Sequence, residues 1–203
     1  MAQDTSYFWL KRAHTLTGAM LGVVLLWYLA FGTIAAANPA MFNGLVATLG
    51  AFPLTTPFEI LVVAVPITLH ALMGLVIIYR SSANVTSYGY YYNWMYLLRR
   101  LTGFMSLAFV VIAAWFVRVV PAANGGSVSF QYVHALLGVS WIKIVCVLGV
   151  VALVFYITNG STNALMTWGI LQTKRSRHVA MIISWIAMIA LWAWGLGVLL
   201  TLS

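Results

Sequence analysis

Negative charge is almost missing from this chain: of 203 residues only Asp4 and Glu59 are acidic, and charged side chains of both signs make up 6%. So few charges cannot build a water-facing surface, which excludes a soluble globular domain. Cysteine is nearly missing too. The single Cys146 rules out an intrachain disulfide and any cysteine-ligated cluster held within the chain. There is no internal repeat, no low-complexity tract and no nucleotide-binding motif. Without a soluble catalytic domain the chain has no route of its own to the oxidation of a soluble substrate, and it reads as a membrane subunit.

Apolar residues are what remain, at 64% of the composition with a mean hydropathy of +1.01. Five apolar runs, at roughly 13–36, 58–79, 101–120, 136–158 and 179–201, each have about the twenty residues needed to cross the hydrocarbon. The expected fold is an all-α integral membrane bundle of five transmembrane helices forming one domain over 1–203. The first run is too long for a signal-peptide core, so it reads as an anchor. Lys11 and Arg12, then Arg80, Arg99 and Arg100, then Lys174, Arg175 and Arg177 share one side of this arrangement; only Arg118 and Lys143 fall on the other. By the positive-inside rule the N-terminus is cytoplasmic and the C-terminus outside. The formal charge of +8 is a topology signal with some attraction to anionic lipid heads, and does not point to nucleic acid.

His70 stands about ten residues from either end of the second run, near mid-membrane, where an ionisable side chain is costly and marks a functional site. A structural alternative is a hydrogen bond from its ring to Tyr156 or a backbone carbonyl, locking helices together. His14 and His178 fall at the cytoplasmic interface, where solvated or lipid-head contacts are expected, and His134 at the outer entrance to the fourth helix, exposed.

Four stretches occur in order along the chain: Arg12-Ala13-His14-Thr15-Leu16-Thr17-Gly18; Glu59, Pro66, His70 and Gly74; Asn93-Trp94 with Arg100-Leu101-Thr102-Gly103; and Thr158-Asn159-Gly160 with Thr167-Trp168-Gly169-Ile170. Together they resemble the single-chain, five-helix membrane anchor, or cytochrome b subunit, of succinate dehydrogenases and fumarate reductases of the complex II family. The resemblance implies a bacterial cytoplasmic-membrane subunit that docks a flavoprotein and an iron–sulfur subunit, whose flavin and clusters exchange electrons with a membrane quinone, menaquinone in many members. In di-haem members two b haems are each held between histidines of different helices. Of the four positions so implied only the second is histidine, His70; the others read Tyr28, Ala113 and Tyr156. Alanine offers no ligand atom, and a neutral tyrosine is a poor ligand for a low-spin electron carrier. A haem-free anchor is therefore expected, with Trp27, Tyr28, Trp115 and Tyr156 filling the vacated volume; a single haem b with His70 as metal ligand is the alternative.

A quinone reduced by cytoplasmic clusters has to sit near them. Arg12, His14, Thr17, Arg100 and Trp168, at the cytoplasmic helix ends, are the candidates for a flat apolar slot with a polar rim, against the simpler role of holding lipid phosphate or the partner subunit. On the outer side, Glu59 matches an acidic residue that serves an outer quinol site in the family, and Lys143 lies near it in depth. A structural Glu59–Lys143 ion pair is the default. A further small membrane subunit with its own redox centre would be needed to feed that side. A transporter would show broken helices or paired polar repeats, and neither is present. The run Tyr88-Gly89-Tyr90-Tyr91-Tyr92-Asn93-Trp94 reads as an interfacial belt or docking loop.

Overall fold

The computed structural model describes residues 5–82 and 84–203. Five helices are long and apolar enough to span a membrane: α1 (Thr5–Ala37), α3 (Thr55–Tyr79), α4 (Tyr91–Ala123), α6 (Ser140–Thr167) and α7 (Lys174–Leu202). They run further than the apolar runs. Hydropathy marks only the part of a helix that lies in hydrocarbon, whereas backbone hydrogen bonding carries α4 back to Tyr91 and α1 back to Thr5 through polar and aromatic residues. Successive spans alternate in direction. The bundle thus has an N-terminal face, with the start of α1 and the α3–α4 and α6–α7 connections, and an opposite C-terminal face.

Two short helices lie at the C-terminal face, in connections where Asn38-Pro39, Pro53, Pro57 and Asn124-Gly125-Gly126 read as turns: α2 (Pro39–Ala51) and α5 (Phe130–Leu137). Asn38 caps α2 by accepting from the Met41 N–H at 2.9 Å, with Pro39 in the first turn where its missing N–H costs nothing. Ser129 caps α5 in the same way through Tyr132. Asn43 ties them by accepting the Phe130 N–H at 2.8 Å. Beneath them Ala35, Phe42, Val128, Leu137, Leu199 and Leu202 form the apolar core that joins the ends of α1 and α7.

Inside the membrane α6 is the central helix, packed chiefly against α1, α4 and α7, while α3 packs on α1. Val154 of α6 is completely buried. Small residues bring the helices together, as expected where lipid offers no hydrophobic drive to association: the Phe109 ring of α4 lies directly on Gly149 of α6, and Val150 on Gly195 of α7. Two π-helical turns, Ile60–Ala64 in α3 and Trp115–Val119 in α4, each precede a proline by a residue or two, Pro66 and Pro121. Proline removes a backbone donor and crowds the carbonyl four residues back, and a widened turn relieves both.

Candidate functional site

Histidine and glycine recur at the same spacing on two antiparallel helices: His14 and Gly18 on α1, His70 and Gly74 on α3. Each glycine makes room for the other helix's ring. A Cβ on Gly18 would stand 2.9 Å from His70 Cε1, and one on Gly74 3.2 Å from His14 Cε1. The rings stack with centroids 3.8 Å apart and planes inclined by 19°. Nδ1 of His14 lies 3.1 Å from the His70 carbonyl oxygen, and Nδ1 of His70 lies 3.0 Å from the His14 carbonyl oxygen. A carbonyl only accepts, so these bonds put a proton on each Nδ1. The Nε2 of a neutral His70 then accepts from the Tyr156 hydroxyl at 2.8 Å. Thr17 adds a contact to His70 Nδ1 at 3.1 Å while donating to the His14 carbonyl.

The tyrosine extends this clasp to four helices. Tyr156 of α6 meets His70 edge to face, and its ring packs where a Cβ on Gly103 of α4 would come within 3.0 Å. Arg99 of α4 is its electrostatic neighbour. The hydrogen bond between His70 and Tyr156 and the backbone bond to His70, offered above as structural alternatives, therefore occur together. His14 corrects the reading of it as an interfacial residue in solvent or lipid heads: half-buried, it is packed into the bundle because the glycines let α1 and α3 approach closely enough for one ring to cover the other.

A second polar group lies next along α1. The Arg12 guanidinium stands 4.1 Å from the Phe8 ring centroid and 5.1 Å from that of Trp168, and its Nε is buried without a partner among the described residues. Trp168 Nε1–H donates to Thr15 at 2.8 Å, joining the end of α6 to α1. Gly169 follows at φ +73°, the left-handed conformation that stops α6 and sets Trp168 there. Arg100 is turned elsewhere: it donates to the carbonyls of Ile78 and Ser81 at 2.8 and 3.1 Å, satisfying the C-terminal end of α3. Arg12, His14, Thr17 and Trp168 thus gather around the start of α1, and Arg100 holds the end of a neighbouring helix.

At the C-terminal face Glu59 pairs with Arg118, not with Lys143, which makes no ion pair among the described residues. Depth alone did not separate the two cations. Lys143 sits on α6, whereas Arg118 sits within the π-turn of α4, from which its side chain reaches Glu59. The expected filling of vacated volume is also corrected. Trp27, Tyr28 and Trp115 remain 59, 47 and 56% exposed, and of the four only Tyr156 packs inward. Sequence reasoning took Arg99 only as a topology signal and overlooked the paired His–Gly spacing, although the repeat of that spacing on the first two spans was legible.

To hold a haem between them, His70 and Tyr156 would each have to offer a free donor atom to the metal. Here the two atoms are hydrogen-bonded to each other, and Ala113 leaves a further pair without a ligand. Among the described residues no group of histidine, cysteine, aspartate or glutamate is placed to hold a metal ion.

Five helices long and apolar enough to span a membrane, four of them joined by a half-buried histidine–tyrosine cluster, define a multi-pass membrane protein. The chain is 30% identical over 185 residues, 91% of each chain, to the succinate dehydrogenase cytochrome b558 subunit of Bacillus subtilis (strain 168). It belongs to that family, the membrane subunits of succinate dehydrogenase in complex II. No family model and no solved structure matches it.

Proposed function

We propose that this protein is the membrane anchor of a succinate:quinone oxidoreductase or fumarate reductase in a bacterial cytoplasmic membrane, docking a flavoprotein and an iron–sulfur subunit on its N-terminal, cytoplasmic face. The likeness to the succinate dehydrogenase subunit over 91% of each chain carries this reading. The basic residues of the N-terminal face and the stacking of Lys11 and Arg80 on Tyr7 support a docking role there. Isolation in mild detergent should bring down both partners with this chain; a stable chain isolated alone would refute it.

The quinone, a menaquinone in this reading, binds at the same face beside the start of α1. Support comes from Arg12, whose unpartnered buried Nε–H stands among the rings of Phe8 and Trp168, with His14 and Thr17 one turn further in. That combination suits a flat ring with a carbonyl at its edge. Arg100 contributes by fixing the end of α3.

The anchor works without haem. The hydrogen bond between His70 and Tyr156 and the alanine at position 113 support this, and a reduced-minus-oxidised spectrum of the intact complex should contain no b-type signal stoichiometric with this chain. The relative's name as a cytochrome b558 subunit favours the alternative, a haem retained at His70. That alternative requires Tyr156 to give up its bond and predicts a b-type spectrum lost in His70→Ala.

A further inference from the structure

Away from the histidine clasp, a cleft opens between α4, α6 and α7 near the N-terminal face. Arg99, Asn159, Asn163 and Arg177 are among its polar lining, beside the hydroxyls of Thr158, Thr162 and Ser184. Each of the first four lies just beyond the end of an apolar run, 101–120, 136–158 or 179–201, so the four stand together at the level where hydrocarbon gives way to headgroups. Below them the cleft continues between Phe155, Met181 and Met188. Arg99 Nε is buried with no hydrogen-bond partner among the described residues, and the amides of Asn159 and Asn163 are not engaged by any of them. No acidic side chain lines the cleft; Glu59 pairs at the opposite face.

We propose that this cleft is a binding site for the phosphodiester of an anionic membrane phospholipid, with one acyl chain lying in the methionine groove. The buried Nε–H of Arg99, with no acceptor and no acidic side chain in the cleft, is costly in such a setting, and a phosphate offers it both charge and acceptor, with further acceptors for the two amides and for Arg177, whose Nε already donates to the Leu171 carbonyl. A neutral quinone carbonyl would leave both positive charges uncompensated. Methionine suits the chain below, because its flexible thioether conforms to an irregular apolar partner. Trp185 Nε1–H donates to the Tyr91 hydroxyl at 3.0 Å and bridges α7 to α4 at the cleft, the aromatic pairing of a headgroup boundary. The site is separate from the quinone position proposed beside α1.

The test uses the protein with its native partners, extracted in mild detergent and analysed by native mass spectrometry for retained phosphatidylglycerol. The wild type should keep the lipid, Arg177→Gln and Arg99→Gln should lose it, and Lys174→Gln, at the start of α7 outside the cleft, should keep it. Arg177 is exposed, so its variant decides if Arg99→Gln does not fold. After delipidation, phosphatidylglycerol should raise Tm in the wild type but not in Arg177→Gln. An equal rise with inorganic phosphate would make the site one for a free anion, and an equal rise with phosphatidylcholine would remove the charge argument. Retention of phosphatidylglycerol by Arg177→Gln, or loss of quinone in place of lipid from Arg99→Gln, would overturn the proposal.

Discussion

A histidine within a membrane bundle is stable where its ring nitrogens find partners, and His70 finds them on two other helices, the His14 carbonyl of α1 and the Tyr156 hydroxyl of α6. Interhelical hydrogen bonds of this kind contribute about 0.6 kcal/mol on average and up to roughly 1.7 kcal/mol. Tyr156→Phe removes only the hydroxyl, so a loss of about 1 kcal/mol is expected, read as a lowered Tm of the detergent-purified complex. The glycines give a sharper contrast. Alanine at Gly18 would push its Cβ to 2.9 Å from the His70 ring, which is itself pinned by stacking and two hydrogen bonds and has nowhere to move. Overpacking at such a place costs about 1–3 kcal/mol. Gly160, in α6 with nothing within 4 Å of a new Cβ, should accept alanine without loss. Equal Tm values for Gly18→Ala and Gly160→Ala would show that the clasp is not tight.

At the scale of elements, the two π-turns determine which side chains meet at the C-terminal face. Each adds a residue to a helical turn and so rotates everything on one side of it relative to the other. Glu59 ends the regular helix just before the turn in α3, and Arg118 lies within the turn in α4. Pro66→Ala should let α3 wind as a regular helix and turn Glu59 away from Arg118. The pair is partly exposed, at 33 and 51%, so its worth is modest, about 0.2–1 kcal/mol. A double-mutant cycle of Glu59→Gln with Arg118→Gln should find coupling of that size in the wild type and none in Pro66→Ala. Undiminished coupling would mean that the π-turn does not control the pairing.

For the whole molecule the question is which face handles the quinone. The hydrocarbon core is about 30 Å thick, and electron transfer falls steeply with distance, so clusters docked at the N-terminal face cannot feed the other side without a carrier. His14→Ala should impair quinone-linked turnover while succinate oxidation by soluble artificial acceptors persists, and Glu59→Gln should have the smaller effect. The reverse result would put the working site at the C-terminal face and require a redox centre in another subunit. Orientation is tested independently. A periplasmic reporter fused after Ser203 should be active and a cytoplasmic one silent, as eight basic residues on the N-terminal face against Arg118 and Lys143 on the other require.

Depth in the membrane was legible in the sequence, because it follows from counting apolar residues along a helix of fixed rise. The spans, their alternation and the sharing of one end by Arg12, His14 and Trp168 came from that count. The absence of histidine from three of the four ligand positions that the family resemblance implies, Tyr28, Ala113 and Tyr156, is a matter of residue identity once that resemblance is granted. Azimuth was not legible. Which way a side chain points around its helix, and which helix it meets, depends on how five similar apolar rods pack, and apolar residues cover nearly the whole circumference of each. Glu59 therefore had two cations on its side of the membrane, and only the three-dimensional arrangement shows that it meets Arg118 and not Lys143. Asn38-Pro39 read as a turn, and only the structure shows it to cap the helix α2, as Ser129 caps α5. His14 was given the wrong surroundings, since its burial is decided by two glycines on facing helices whose nearness exists only in the tertiary structure.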